Sequence, residues 1–223
     1  MTDRRQILLI RHGVTDWNRE GRFQGHLDPP LSPDGRLEAQ LLAARLARDE
    51  VHRPVRIVSS TLARARETAD AIGAAVGAVV ETDARLIEIG QGEWEGRTHA
   101  DLAVTDADRY AAWRDDAGIG QPPGGESIES ATQRVTELLD ELSDDVRWPL
   151  CVVSHGGTLR IMARILLATS ATAQWSLDID NASLSICSTR GERWRLDRWN
   201  DTLHLLGTTA THVDEIEGRP LAL

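Results

Sequence analysis

The stretch Gln6-Ile7-Leu8-Leu9-Ile10-Arg11-His12-Gly13 decides how the rest of the chain reads. Gln6–Ile10 carries an unbroken apolar run without the polar alternation of a half-exposed strand, so it predicts a central parallel strand covered on both faces. In an open parallel sheet, ligands bind beyond the carboxyl ends of the strands. At that end this strand delivers Arg11, His12 and Gly13.

Outward from that strand, short buried runs alternate with longer amphipathic stretches. Ser32-Pro33 reads as N-cap and first helical position, with Leu37, Leu41, Leu42 and Leu46 as one apolar stripe. Arg56–Ser59 is a second strand, followed by a helix from Thr61 to Ile72 that stops at Gly73. Val79–Glu81 is a third strand, and Ile87–Gly96, without a clear period, reads as a long functional loop. Helices are expected over Thr98–Trp113 and Ser127–Leu142. Leu150–Ser154 is the most strand-like run, and Gly156-Gly157 permits a tight turn into a helix at Thr158–Leu167. Ser183–Thr189 and Trp194–Asn200 flank a turn and read as an edge hairpin. The pattern predicts an α/β fold, a three-layer α/β/α sandwich whose mostly parallel central sheet ends in an antiparallel edge hairpin. No repeat or linker interrupts it, so residues 1–223 are read as a single domain, with about 204–223 as a candidate tail or lid.

Composition narrows the partners. The formal net charge of -10 argues against nucleic acid or an anionic membrane surface, since both attract basic proteins. No run approaches the ~20 apolar residues of a membrane-spanning helix, and the N-terminus lacks the apolar core of a signal peptide. All 25 basic residues are arginine, which removes lysine Schiff-base chemistry and the phosphate loop that ends in Gly-Lys-Ser/Thr. The two cysteines, Cys151 and Cys187, lie in strand-like runs and read as buried thiols of a cytoplasmic protein rather than a disulfide or zinc framework. An exposed hairpin edge would suit a homodimer.

The chemistry collects at three strand ends: Arg11-His12-Gly13, Ser59-Ser60-Thr61 with Arg64 on the next helical turn, and His155-Gly156-Gly157. Two guanidinium forks and glycine-lined helix N-termini suit a phosphoryl dianion. Two histidines exceed what binding needs. A neutral imidazole can act as nucleophile, and a second can stabilise the transferring charge. The acid for the leaving alcohol is one of Glu88, Glu93 and Glu95, among which spacing does not choose.

These residues resemble the histidine phosphatase superfamily, which includes cofactor-dependent phosphoglycerate mutase. Leu9-Ile10-Arg11-His12-Gly13-Val14-Thr15-Asp16-Trp17-Asn18 looks like its nucleophile motif, and Gln24-Gly25-His26-Leu27-Asp28 like the following turn. Ser59–Ala65 with Thr68-Ala69 resembles its second arginine motif, Leu86-Ile87-Glu88 with Gly92–Gly96 its acid loop, and Val153–Gly157 its second histidine motif. The resemblance implies a phosphohistidine on His12, with Arg11, Arg64 and His155 holding the phosphoryl group and Glu88 as proton donor. It implies Asn18 as a further phosphate contact, and places Thr15, Gln24, Gly25 and Gly156 with the substrate-binding residues. Neither a metal nor another cofactor is implied, and the partner is a small phosphate ester. Glu93 and Glu95 then read as solvated or loop-bracing.

Mutases of this family follow the catalytic glutamate with Arg-His-Tyr-Gly and carry a lysine and paired arginines for the substrate carboxylate. Here the run is Glu88-Ile89-Gly90-Gln91-Gly92, and no lysine exists. The expectation is therefore hydrolysis of a phosphomonoester. Gly124–Ser127, Asn181–Ser183 and Trp194–Asn200 look like those of actinobacterial glucosyl-3-phosphoglycerate phosphatases. A phosphoglycerate mutase, a broad-specificity or α-ribazole phosphatase, and a non-catalytic phosphometabolite-binding protein are the alternatives. His26 is a candidate substrate contact; Trp94 and Trp113 read first as core and second as pocket lining.

Overall fold

A computed structural model describes residues 5–115, 121–143, 147–171 and 173–207. In chain order it contains β1 (Gln6–Arg11), α1 (Asp16–Arg19), α2 (Pro33–Arg48), β2 (Arg56–Ser59), α3 (Ala63–Val76), β3 (Val80–Thr82), α4 (His99–Thr105) and α5 (Ala107–Asp115). There follow α6 (Ile128–Ser143), β4 (Leu150–Ser154), α7 (Gly156–Leu167), β5 (Leu184–Arg190) and β6 (Arg193–Asp201). The candidate tail falls outside the described residues from 208 onward.

The strands form one sheet in the order β3-β2-β4-β1-β5-β6. β3, β2, β4 and β1 run parallel, while β5 and β6 add an antiparallel hairpin at the edge. Successive side chains of a strand point to opposite faces, so the apolar runs feed two cores. Ile7, Leu9, Val58, Leu150 and Val152 pack with residues of α6 and α7. Leu8, Ile10, Ile57, Cys151 and Val153 pack with residues of α2 and α3. This is the expected three-layer α/β/α arrangement. Both cysteines are buried free thiols. Among the described residues no helix is long and apolar enough to cross a membrane.

Four local readings change. Helix α3 does not stop at Gly73 but runs a turn further to Gly77, whose φ of 76° ends it. Gly73 is glycine because a Cβ there would come within 2.8 Å of the Ala78 carbonyl and 2.9 Å of Val80 Cγ2, where the chain turns back toward β3. The stretch expected as one helix over Thr98–Trp113 is two, broken at Asp106 (φ -141°, ψ 42°). The Asp106 carboxylate accepts the Trp94 indole N–H at 2.9 Å, which favours the break over a continuous helix. Gly156 and Gly157 do not form a turn; they are the first two residues of α7, with His155 as N-cap. On α2 the buried face is Glu38, Ala39, Leu42, Ala43 and Leu46, while Leu37 is 38% exposed. Trp94 and Trp113 are core residues, packed edge-on to each other and to Phe23.

Candidate active site

Sheet register assembles the site. Arg11 pairs with Ser154 across β1 and β4, so the next residues, His12 and His155, emerge side by side with ring centroids 5.1 Å apart. β2 flanks β4 on its other side, and the Ser60 N–H donates to the Val153 carbonyl at 2.9 Å. Arg64 then enters from the first turn of α3. Arg11, His12, Arg64, Glu88 and His155 are all buried.

The His12 loop is fastened at each peptide. The His12 N–H donates to Ser154, and its carbonyl accepts from the Ala182 N–H at 3.1 Å and Asn181 Nδ2 at 3.0 Å. The Gly13 N–H donates to Thr68 Oγ1, whose hydroxyl donates to the Arg64 carbonyl. The Val14 N–H donates to Glu38 at 2.7 Å. Gly13 and Gly35 let two backbones touch: a Cβ on Gly13 would lie 2.4 Å from the Gly35 carbonyl. His12 Nδ1 donates to the Gly13 carbonyl at 2.7 Å, which leaves the Nε2 lone pair as the reactive one. Burial, with Arg64 and Arg11 nearby, holds the His12 pKa well below the ordinary imidazole value, so the ring is neutral at pH 7.

Arg64 donates to the carbonyls of Leu27 and Gly25 at 2.8 and 3.0 Å and lies 3.7 Å from Asp28. Burial lowers its pKa to about 10, still a cation at neutral pH. Arg11 donates to the Ile179 carbonyl at 2.7 Å. Two buried guanidiniums beside two neutral imidazoles make a cluster suited to a compact anion.

Glu88 is set apart from the other loop acids by what holds it. Its carboxylate accepts the N–H groups of Gly157 and Thr158, both at 3.1 Å, and of Ile89 at 2.9 Å. It is thus seated on the first turn of α7, directly after His155. Gly157 permits this: a Cβ would lie 2.8 Å from Glu88 Oε1. Glu95 instead braces the loop, accepting from the N–H groups of His26 and Gln91, and Glu93 is exposed.

The remaining expected residues take differing positions. Asn18 Oδ1 accepts the N–H and hydroxyl of Thr15 and lies 3.4 Å from Asn181 Nδ2, so its amide nitrogen is the donor left for a ligand. Thr15 is the N-cap of α1 and spends its groups on Asn18. Gly25 enters through its carbonyl on Arg64, with φ at 48° and a Cβ position 2.2 Å from Glu95 Oε1. Gln24 is buried, and its Oε1 has no hydrogen-bond partner among the described residues. Gly156 is buried at the start of α7. His26 Nε2 donates to the Glu88 carbonyl at 3.1 Å, next to the acid loop. Glu38 and Thr158 were not expected as site residues, Ser60 and Thr68 stand within the second arginine motif without a role of their own, and Asn181 reads only as part of a family-like segment. Their partners lie far along the chain, where no local pattern marks them.

A cluster of buried arginines and neutral histidines at the strand ends of an α/β sheet suits a phosphoryl-transfer enzyme. Residues 7–202 match the family described as histidine phosphatase superfamily (branch 1). The glucosyl-3-phosphoglycerate phosphatase of Mycobacterium tuberculosis is 36% identical over 215 residues, covering 88% of this chain and 94% of the relative. Phosphoserine phosphatase 1 of Hydrogenobacter thermophilus is 35% identical over 202 residues, covering 90% and 94%. A solved structure of the mycobacterial glucosyl-3-phosphoglycerate phosphatase with VO3 superposes with a TM-score of 0.79 at 36% identity, covering 88% of this chain and 99% of the other. The chain belongs to the histidine phosphatase superfamily and is a phosphoric monoester hydrolase.

Proposed function

We propose that the enzyme hydrolyses a small phosphorylated metabolite through a phosphohistidine on His12, without a metal ion. The observation that carries this reading is the 2.7 Å bond from His12 Nδ1 to Gly13, which leaves a neutral Nε2 lone pair within the arginine-lined pocket. Nε2 attacks phosphorus in line, the P–O bond to the alcohol breaks, and Glu88 passes a proton to the departing oxygen. Water then attacks the phosphohistidine, giving a proton to Glu88 and releasing inorganic phosphate. Arg11, Arg64 and the Asn18 amide hold the equatorial oxygens, with Gln24 and the backbone at Gly156 bordering the pocket. Thr15 and Gly25 act through Asn18 and Arg64.

The substrate we favour is a sugar- or glycerate-linked phosphate such as glucosyl-3-phosphoglycerate, on the strength of the 36% identical relative bearing that name. Phosphate release should follow with p-nitrophenyl phosphate and be lost in His12→Ala, while EDTA leaves the wild type active. Full activity in His12→Ala would sink the mechanism. A panel of glucosyl-3-phosphoglycerate, α-ribazole phosphate, phosphoserine and 3-phosphoglycerate ranks the substrates; 2-/3-phosphoglycerate interconversion faster than hydrolysis would favour the mutase.

Two buried free thiols fit a reducing compartment, so a cytoplasmic setting is part of the proposal, as is a chain acting as one domain. The outer edge of β6 supports a homodimer through strand pairing, which light scattering would detect.

A further inference from the structure

We infer that Ser60 is a positioning residue that fixes the tautomer of His155, placing the proton on Nδ1, where the transferring phosphoryl group can receive it; this rests on the phosphatase reading above. Ser60 directly follows β2, and its backbone bond to Val153 locks it beside the strand that delivers His155. The two side chains therefore meet by register: Ser60 Oγ lies 2.8 Å from His155 Nε2, and both residues are fully buried.

A hydroxyl has one proton and two acceptor lone pairs. Ser60 Oγ accepts the Leu62 N–H at 3.3 Å, and among the described residues Nε2 is the acceptor within reach of its own proton. His155 is itself held neutral. It is the N-cap of α7, whose N-terminus disfavours a cation, and burial with Arg64 and His12 nearby lowers its pKa well below the ordinary value. A neutral imidazole carries a single N–H. With Nε2 accepting from Ser60, that N–H is on Nδ1, a buried nitrogen without a hydrogen-bond partner among the described residues. An anionic phosphoryl oxygen only accepts hydrogen bonds, so the opposite tautomer would present it with a lone pair. Ser60 thus decides whether the second histidine attracts or repels the group being transferred.

The test is a long-range proton–nitrogen correlation spectrum of the ¹⁵N-histidine-labelled protein at pH 7, with His155 assigned by its loss in His155→Gln. The expected result is a protonated Nδ1 and a bare Nε2 in the wild type. Ser60→Ala should shift the ring toward the Nε2–H form and lower kcat/KM for p-nitrophenyl phosphate by about tenfold, the loss of one hydrogen bond's worth of orientation. Ser60→Thr, which keeps the hydroxyl, should retain the wild-type nitrogen pattern. A wild-type His155 protonated on Nε2, or an unchanged pattern in Ser60→Ala, would overturn the inference. If Ser60→Ala does not fold, the wild-type spectrum decides alone. A wild type with Nδ1–H but no hydrolysis would instead overturn the phosphatase reading, so the two failures are distinguishable.

Discussion

β1 and β4 lie side by side, run parallel and are each followed directly by a histidine, yet the two histidines are held in different ways. His12 opens a loop tied down by bonds from Asn181 and Ala182 and to Thr68 and Glu38, with its ring bonded to the next carbonyl. His155 opens a helix, its ring is bonded to a hydroxyl, and the N–H groups of Gly157 and Thr158 in the helix's first turn grip Glu88. One strand end leaves a nitrogen free to attack. In the proposed mechanism the other joins a phosphate donor to the acid that serves the leaving group. The same β-to-loop step therefore yields different chemistry according to whether a loop or a helix follows it.

Removing each histidine separates the two roles most strongly. His12→Ala should lower kcat for p-nitrophenyl phosphate by about 10⁴-fold or more, because the nucleophile itself is lost. His155→Ala should cost about 10²- to 10³-fold, the range for a lost charge-stabilising donor. Equal losses in steady-state assays would break the distinction.

Gly157→Ala probes the β4 side without touching a histidine. The new Cβ would lie 2.8 Å from Glu88 Oε1 and 2.7 Å from Ile89 Cδ1. The expected result is kcat down about tenfold to a hundredfold from a displaced acid, with about 1–3 kcal/mol lost in denaturant unfolding. Wild-type kcat in this variant would show that Glu88 does not need its seat on α7.

Acid sharpens the comparison from another side. His12 and His155 have pKa values well below the ordinary one, and burial lowers His99 and His204 to about 4. Each is neutral when folded but takes up a proton once unfolded below about pH 6.5. Their contribution is thus fully present above that pH and is lost as pH falls toward the folded values. The melting temperature should drop between pH 7.5 and 5, while the acid limb of kcat/KM lies below the ordinary imidazole range. A melting temperature that rises over that interval would contradict neutral burial.

The smallest effects lie away from the site, on α2. Leu42→Ala should cost about 2–5 kcal/mol, because Leu42 is fully buried, and Leu37→Ala no more than about 0.5. Denaturant titration of both variants checks which face the helix buries.

What could be read along the chain was whatever depends on local pattern. Unbroken apolar runs marked β1 and β4, and the residues just past them followed at once, so Arg11, His12, Arg64 and His155 were visible as a set. Glu88 was not separable from Glu93 and Glu95 by spacing, because its seat is made by Gly157 and Thr158, far along the chain. Family likeness chose it, and what the fold adds is its seat on the first turn of α7. Ser60, Thr68 and Asn181 stood inside family-like motifs, but their roles were hidden for the same cause, since each works through a partner brought near only by folding. Gly73 misled in the other direction, as a glycine that serves close packing inside a helix reads the same in sequence as one that ends it.

The central claim is that the phosphoryl group passes through His12. Mixing the enzyme with excess p-nitrophenyl phosphate, quenching in alkali within milliseconds and mapping the peptides by mass spectrometry tests it directly. A phosphoryl group on the peptide containing His12, absent from His12→Ala and chased by water, is the predicted result. A phosphoryl group that persists in His12→Ala, or turnover with no phosphopeptide and single-step inversion at a chiral phosphorus, would contradict it.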